Sequence, residues 1–161
     1  MFFYQLFKEI INKILQKRVK PYKIELKSYA PSILCKSLKL RVVDSGDDES
    51  TMAELYALEG PAYSIQSYGI DFVASPKHAD GIVVVGSIPQ NMQQATIDAY
   101  KVIQEPKVVI AIGDFAINGD PRFTNCKSAK EVLGKVDLEI PGNPATAKDI
   151  FYHIASFTKK I

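Results

Sequence analysis

The residues best suited to chemistry in this chain lie in an acidic loop, "DSGDDEST", which follows an apolar run. The loop contains no Cys, His or Lys, and its acids are Asp44, Asp47, Asp48 and Glu49. Together with Asp114 from a later loop, these carboxylates offer the oxygen ligands that Mg²⁺ or Ca²⁺ prefers. The spacing does not match an EF-hand. The competing interpretation is a solvated turn in which Asp48 or Ser50 caps the following helix, favoured by the helix dipole.

Other polar side chains follow later apolar runs in the same way, namely Lys77, His78, Asp114, Arg122 and Asn143. His78 has the chemistry of a general base or a metal ligand, but a lone His with no Cys or second His nearby is more often structural. The sequence contains neither a phosphate-binding glycine motif nor a Ser/His/Asp or Cys/His pairing that spacing reveals. No catalytic residue is therefore predicted.

The elements that would position these loops alternate between strands and helices. "GIVVVG" and "KVVIAIG" are unbroken β-branched runs, which are typical of strands buried on both faces of a parallel sheet. "SLKLRVVD", "GIDFVASP" and "DLEIPG" read as further strands, and "STMAELYALEG", "PQNMQQATIDAYKVIQ", "SAKEVLG" and "NPATAKDIFYHIASFTKK" read as helices. The pattern predicts a doubly wound α/β domain, in which the loops beyond the strand C-termini meet along one edge.

Composition excludes several classes of protein. The chain has 161 residues and a formal charge of +2, which is too small to indicate a nucleic-acid partner. Its two cysteines, Cys35 and Cys126, form no Cys-x-x-Cys motif and suit a reducing cytosol. No apolar run reaches the ~20 residues that span a bilayer.

The N-terminal stretch "MFFYQLFKEIINKILQKRVK" lacks the continuous apolar segment and cleavage site of a signal peptide. Its apolar residues recur at helical spacing, opposite a face that carries Lys8, Lys13, Lys17 and Arg18. Residues 1–18 are predicted to form a basic amphipathic helix. Such a helix either lies on a membrane or in a partner's groove, or packs on its own domain.

From about Leu38 to Ile161 the sequence resembles the small, cluster-carrying subunit of energy-converting nickel-iron hydrogenases and the related 20 kDa subunit of complex I. The resemblance rests on three segments in the same order and at nearly the same spacing: "SYGIDFVASPKHADGIVVVGSIPQNM", "EPKVVIAIGDFAINGD" and "VDLEIPGNPATAKDIF". It implies a mainly parallel, flavodoxin-like sheet. It also divides the chain into residues 1–37, an amphipathic helix with an extended connector, and a family-like domain at residues 38–161.

In the resembled family, four cysteines bind one four-iron cluster. Counting back without gaps from Gly69–Ile70 places the family's glutamate at Glu54 and its first two cysteines at Asp48 and Thr51. The Gly-x-Cys-Ala and Pro-Gly-Cys-Pro turns correspond to "GDFA" and "PGNP", which places the other two at Phe115 and Asn143. Because iron–sulfur clusters need Cys thiolates or occasionally His, we expect no cluster and no other cofactor or metal. Phe115 is expected to fill space that the cluster leaves.

The resemblance implies a structural subunit of a membrane-associated, hydrogenase-like or complex-I-like oxidoreductase assembly. Its partners would be a large subunit related to the nickel-iron one and antiporter-like membrane subunits, and it would sit peripherally on the cytoplasmic face. The candidates for partner contact or proton relay are Glu54, Lys77, His78 and Asp114. Two alternatives stay open: a stand-alone α/β domain that binds a small ligand at the vacated edge, and a subunit that binds a cluster in an atypical way.

Overall fold

The computed structural model describes residues 29–46 and 49–160. Five strands form a parallel sheet: β1 (Leu38–Gly46), β2 (Ile70–Phe72), β3 (Gly81–Gly86), β5 (Val108–Ile112) and β7 (Leu138–Ile140), in the spatial order β2-β1-β3-β5-β7. The predicted doubly wound, flavodoxin-like α/β class is confirmed. The two central runs, β3 and β5, are buried along their whole length, as unbroken β-branched sequences favour.

Helices cover both faces of the sheet. On one face α1 (Ser50–Ala57) and α5 (Ala147–Phe157) pack on a core that includes Leu40, Val83, Ile110 and Ile150. On the other face lie α2 (Gln90–Val102), α3 (Asp114–Asn118) and α4 (Ala129–Leu133), around Ile82, Val84 and Val109. The central strands β3 and β5 therefore bury side chains on both sides, and in such sheets ligand or partner sites lie at the strand ends.

Two features of the fold were not predicted from the sequence. A short antiparallel ribbon joins β4 (Ile88–Pro89) to β6 (Cys126–Lys127), and α3 begins directly after β5.

The predicted cap of α1 is also wrong in part. Glu49 occupies the position before the helix with a φ of 66°, makes no capping bond with its side chain, and leaves Ser50 as the first helical residue. Asp47 and Asp48 lie outside the described residues.

The connector before β1 packs on the domain in its described part. Ala30 and Leu34 are buried in the core, and the Ala30 N–H donates a hydrogen bond to the Phe157 carbonyl at 3.0 Å. The division into residues 1–37 and 38–161 stays a prediction, and the predicted N-terminal helix, residues 1–18, lies outside the described residues. No helix among the residues that the structure describes is long and apolar enough to cross a membrane.

Candidate functional site

The loops that follow β1, β5 and β7 meet at the C-terminal ends of the strands, and we call this surface the strand-end edge. The Gly113 N–H donates to the Ile140 carbonyl at 2.8 Å, and the Asp114 N–H donates to the Gly142 carbonyl at 2.9 Å. The Asp114 carboxylate accepts the Gly142 N–H at 2.9 Å. A methyl group at Gly113, where φ is +91°, would lie 3.6 Å from the Thr51 hydroxyl, so α1 begins against the same turn. Asp114 therefore has a structural role, because it fixes the last two loops to each other.

Three of the four predicted former ligand positions are described, and they differ in environment. Thr51 is buried, with 2% of its surface exposed. Phe115 is half-buried, and Asn143 is exposed. A hydroxyl, an aromatic ring and a neutral amide thus stand at these positions, and none of them is a thiolate or an imidazole.

An aromatic cluster formed by Phe115, Arg122 and Phe123 covers part of the strand-end edge. The Arg122 guanidinium carbon lies 4.7 Å from the centre of the Phe115 ring and 5.8 Å from that of Phe123, within the range of a cation–π contact. Phe123 is 60% exposed. An exposed aromatic ring beside an arginine is the composition that protein interfaces favour.

Asp120, which sequence reasoning did not single out, holds this cluster in place. Its buried carboxylate accepts bonds from Arg122 Nε at 2.9 Å, from Nη2 at 2.7 Å and from the Arg122 backbone N–H at 2.9 Å. The side-chain hydrogen bonds from Arg122 lower the pKa of Asp120 below its ordinary value of 3.8 and outweigh its burial, which raises it. The signal in the sequence is the pattern "DPR", in which an acid and a base two residues apart flank a proline.

Glu54 lies in the second turn of α1, and its carboxylate bonds to a different helix. Glu54 Oε2 accepts the Ala147 N–H at 2.7 Å, at the start of α5. Thr146 caps the same helix by accepting the Asp149 N–H at 3.2 Å. The carboxylate satisfies one of the free N–H groups of α5 and links α1 to α5 across 93 residues of chain.

Lys77 and His78 do not lie at the strand-end edge, so the expectation that the Ser75–Asp80 loop joins it is wrong. Both side chains are exposed in a short 3₁₀ turn, Pro76–His78, beside a cavity of about 400 Å³. The same cavity is lined by residues that precede β1 and β5, including Ser37 and Pro106. The reason is that β2 pairs only with Leu38–Leu40, so the loop after it stays near the start of the strands.

The carboxylates proposed for a hard cation are dispersed as far as they are described. No group of three His, Cys, Asp or Glu side chains has an arrangement for a metal ion among the residues that the structure describes. Asp44 and Glu49 are exposed, and the Asp114 carboxylate bonds to Gly142. Asp47 and Asp48 lie outside the described residues.

An open parallel sheet with helices on both faces and loops converging at the strand ends defines a flavodoxin-like α/β domain. Residues 46–157 match the family described as NADH ubiquinone oxidoreductase, 20 Kd subunit. The chain belongs to this family.

Two curated relatives are similar over most of the domain. The chain is 35% identical over 112 residues to an NADH-quinone oxidoreductase subunit of Carboxydothermus hydrogenoformans, and the match covers 67% of each protein. It is 32% identical over 111 residues to an NAD(P)H-quinone oxidoreductase subunit of the organellar chromatophore of Paulinella chromatophora, and this match covers 67% of the chain and 45% of that relative.

Two solved structures share the fold. A chain of the membrane-bound sulfane sulfur reductase, an archaeal respiratory membrane complex, superposes with a TM-score of 0.65 at 23% identity, covering 79% of this chain and 71% of that one. A chain of an NAD⁺-reducing [NiFe]-hydrogenase in the H₂-reduced state superposes with a TM-score of 0.59 at 15% identity, covering 77% and 92%. At these identities the likeness concerns the fold.

The family normally carries an iron–sulfur cluster, and the residues of this chain do not fit one. The four residues that the resemblance predicts at the ligand positions, Asp48, Thr51, Phe115 and Asn143, supply no thiolate or imidazole. Cys126 lies in the β4–β6 ribbon, and Cys35 lies before β1, with its thiol bonding to the Ala30 carbonyl at 3.6 Å. Two cysteines outside the turns cannot replace four ligands.

Proposed function

We propose that the chain is a structural subunit, without an iron–sulfur cluster, of a membrane-associated oxidoreductase assembly of the complex I or hydrogenase type. The observation that carries this proposal is the combination of retained shape and altered chemistry at the strand-end edge. Three hydrogen bonds of 2.8–2.9 Å hold the last two loops together, and their donors are the N–H groups of Gly113, Asp114 and Gly142. At the positions where the family is expected to place cysteines, this chain has Thr51, Phe115 and Asn143.

The strand-end edge is the surface proposed to contact a large subunit related to the nickel-iron one. Phe123 presents an apolar ring that is 60% exposed, and Arg122 beside it is neutralised by the buried Asp120. Burying this cluster against a partner removes apolar surface from water without leaving an unpaired charge. Glu54 stays a candidate for partner pairing or proton relay, and Lys77 and His78 become candidates for a separate contact at the strand-start end.

The membrane association is proposed to involve residues 1–18, whose apolar and basic faces suit the interface of a bilayer on the cytoplasmic side. Antiporter-like membrane subunits are the second class of partner that the assembly would contain. The relatives support membership of a membrane-associated assembly, because two are named as quinone oxidoreductase subunits and one structural neighbour belongs to a respiratory membrane complex.

The first experiment measures iron and acid-labile sulfide after anaerobic purification of the full chain. We expect a colourless protein with far less than one iron per chain, because the turns lack thiolates. About four irons per chain with matching sulfide would refute the cluster-free proposal and favour atypical binding.

The second experiment tests the partner by co-purification with a hydrogenase-like large subunit encoded nearby. Phe123→Asp should reduce recovery of the complex about tenfold, as expected when a charge replaces an aromatic anchor. Val102→Asp is the matched control, because it makes the same kind of change at an exposed apolar residue at the C-terminal end of α2, and it should leave this contact unchanged. If the wild-type chain runs as a lone monomer in the presence of that subunit, the alternative of a stand-alone α/β binding domain becomes the better account.

A further inference from the structure

The outer side of β1 is longer than the strand that covers it. On its inner side β1 pairs with β3 from Leu40 to Gly46, but on its outer side β2 pairs only with Leu38–Leu40. The Val73 N–H donates to the Leu40 carbonyl at 2.9 Å, and the chain then leaves the sheet. Among the described residues no strand pairs with the outer side of residues 41–44.

The backbone of β1 therefore presents hydrogen-bonding groups to an open side. In a parallel strand successive residues direct their N–H and C=O groups to opposite neighbours. The Leu40 carbonyl accepts its hydrogen bond on the side of β2, and the Lys39 carbonyl accepts the Asp80 N–H on the side of β3. By the same alternation, Val42 and Asp44 direct their N–H and C=O groups outward. Such an edge is a template for pairing with another strand.

This edge forms the floor of a groove of about 500 Å³. One wall is formed by Met52, Leu55 and Tyr56 of α1, and the opposite wall includes Val73 and Met92. Tyr56 is 63% exposed, so the wall extends above the floor. Both walls stand beside the edge strand, so pairing with the same edge of a second copy would bring the walls of the two copies against each other. The groove fits a single extended segment.

We propose that this groove receives an extended segment of the partner subunit, which adds a sixth strand to the sheet beside β1. The inference rests on the proposed function for the identity of the partner. The position supports it, because Asp44 lies two residues before Gly46, where the strand-end edge begins. A partner that covers the strand-end edge therefore extends directly into the groove beside β1.

The groove also defines the chemistry of the segment that binds in it. Alternate side chains of an added strand point to the two faces of the sheet. One set meets the apolar side chains of Val73 and Met92, and the other set meets the α1 side, where the acids of the groove are exposed. The exposed acids Asp44 and Glu59 lie at the rim, with Arg41 half-buried near them. The segment therefore carries alternating apolar residues with Lys or Arg between them. Four residues of β1 would pair with about 13 Å of extended chain.

The test compares two substitutions at one exposed residue in the co-purified complex. Asp44→Pro removes the outward N–H, which an edge strand tolerates, whereas Asp44→Ala removes the side-chain charge and keeps the N–H. We expect Asp44→Pro to bind the partner about tenfold more weakly than Asp44→Ala, because one backbone bond is lost and an acceptor stays unpaired. Tyr56→Ala, which leaves the backbone of β1 unchanged, should also weaken binding, and Tyr56→Phe should not.

Amide hydrogen exchange gives a second readout on the full chain. The Val42 and Asp44 amides should exchange rapidly in the free protein and at least tenfold more slowly in the complex, or with the probe peptide acetyl-Lys-Val-Lys-Ile-Lys-Val-amide at millimolar concentration. The same peptide with Pro in place of Ile is the control and should not slow exchange.

The outcomes separate this inference from the proposed function. If the complex forms while Asp44→Pro equals Asp44→Ala and both amides exchange as in the free chain, the groove inference is overturned and the subunit proposal stands. If no complex forms, the subunit proposal fails, and protection by the peptide alone would still support a strand-accepting groove. Protection of both amides in the free chain would mean that another segment of this chain covers β1, which also overturns the inference.

Discussion

The hydrogen bond from the Ala147 N–H to Glu54 predicts how much the isolated domain depends on one carboxylate. The donor is one of the first N–H groups of α5, which have no partner within the helix, and the distance of 2.7 Å is that of a charge-assisted bond. Bonds to charged groups contribute about 1.5–3 kcal/mol. Since Glu54 is half-buried, water weakens the interaction, and about 2 kcal/mol is the appropriate value for removing it.

Two substitutions at Glu54 separate the contribution of the hydrogen-bond acceptor from that of its charge. Glu54→Ala removes the acceptor and should lower the free energy of unfolding by about 2 kcal/mol. Glu54→Gln keeps a neutral acceptor and loses the charge and its attraction to the helix dipole, so the loss should be about 1 kcal/mol. For a chain of this length 1 kcal/mol corresponds to a Tm shift of about 2–4 °C. The control is Glu59→Ala, an exposed acid beyond the same helix, which should stay within about 0.5 kcal/mol of wild type.

Urea unfolding of the purified chain measures these differences, and the slope m should stay unchanged while the midpoint falls. The reasoning is refuted if Glu54→Ala is as stable as Glu59→Ala. It is also refuted if the Gln and Ala variants lose the same amount, because the charge and the acceptor would then have no separate contributions. If Glu54→Gln leaves stability unchanged and weakens only the complex with the large subunit, Glu54 acts as a partner contact.

Three further predictions concern other parts of the chain. The pKa of Asp120 is depressed in the folded state, so its contribution to stability is present above about pH 4 and is lost as the pH falls through the folded pKa. In acid titrations of the unfolding free energy, Asp120→Asn should therefore show a smaller decline than wild type. An unchanged decline would contradict this. Gly142→Ala should lower the free energy of unfolding by about 1–3 kcal/mol, because φ is +138° and a Cβ would lie 2.7 Å from the Ala145 Cα. The control is Gly134→Ala, where φ is +78° but the space around the Cβ is open, and it should lose less stability. Equal losses in denaturant unfolding would exclude crowding as the cause. Changing Ile10 and Ile14 to Asp should release the protein from membrane fractions with its circular dichroism spectrum unchanged; equal association before and after the change would exclude docking by this face, and loss of folding would place the helix in the domain's own core.

The sequence predicted the sheet and most helices because those elements have strong periodicity. The runs that became β3 and β5 are continuous and β-branched, and the helix that became α2 has thirteen residues with clear helical spacing. The two-residue strands β4 and β6 have no period to detect, and α3 is only five residues long. Short elements of this kind form because tertiary contacts hold them, so no local pattern announces them.

The candidate site was predicted only where it depends on strand order. Thr51, Asp114 and Gly142 converge because they follow β1, β5 and β7 of one parallel sheet, and the sequence defines those strands well. Lys77 and His78 were misplaced because the end at which a loop lies depends on how far the preceding strand extends. β2 stops after three residues, and its sequence continues with Val73 and Ala74, which suit a strand equally well.

The contacts at the strand-end edge explain how this fold can hold its loops together without help from a cluster. If a metal cluster were the main tie between the loops after β1, β5 and β7, losing its ligands would leave those loops without a tie. Here the protein supplies that tie through the Asp114 carboxylate, the Gly113 and Gly142 turns and the buried Thr51. Glu54 adds a further link from α1 to the helix that follows β7. These contacts give the edge a defined shape without a cluster, which is the property that the proposed cluster-free subunit needs if a partner is to recognise it.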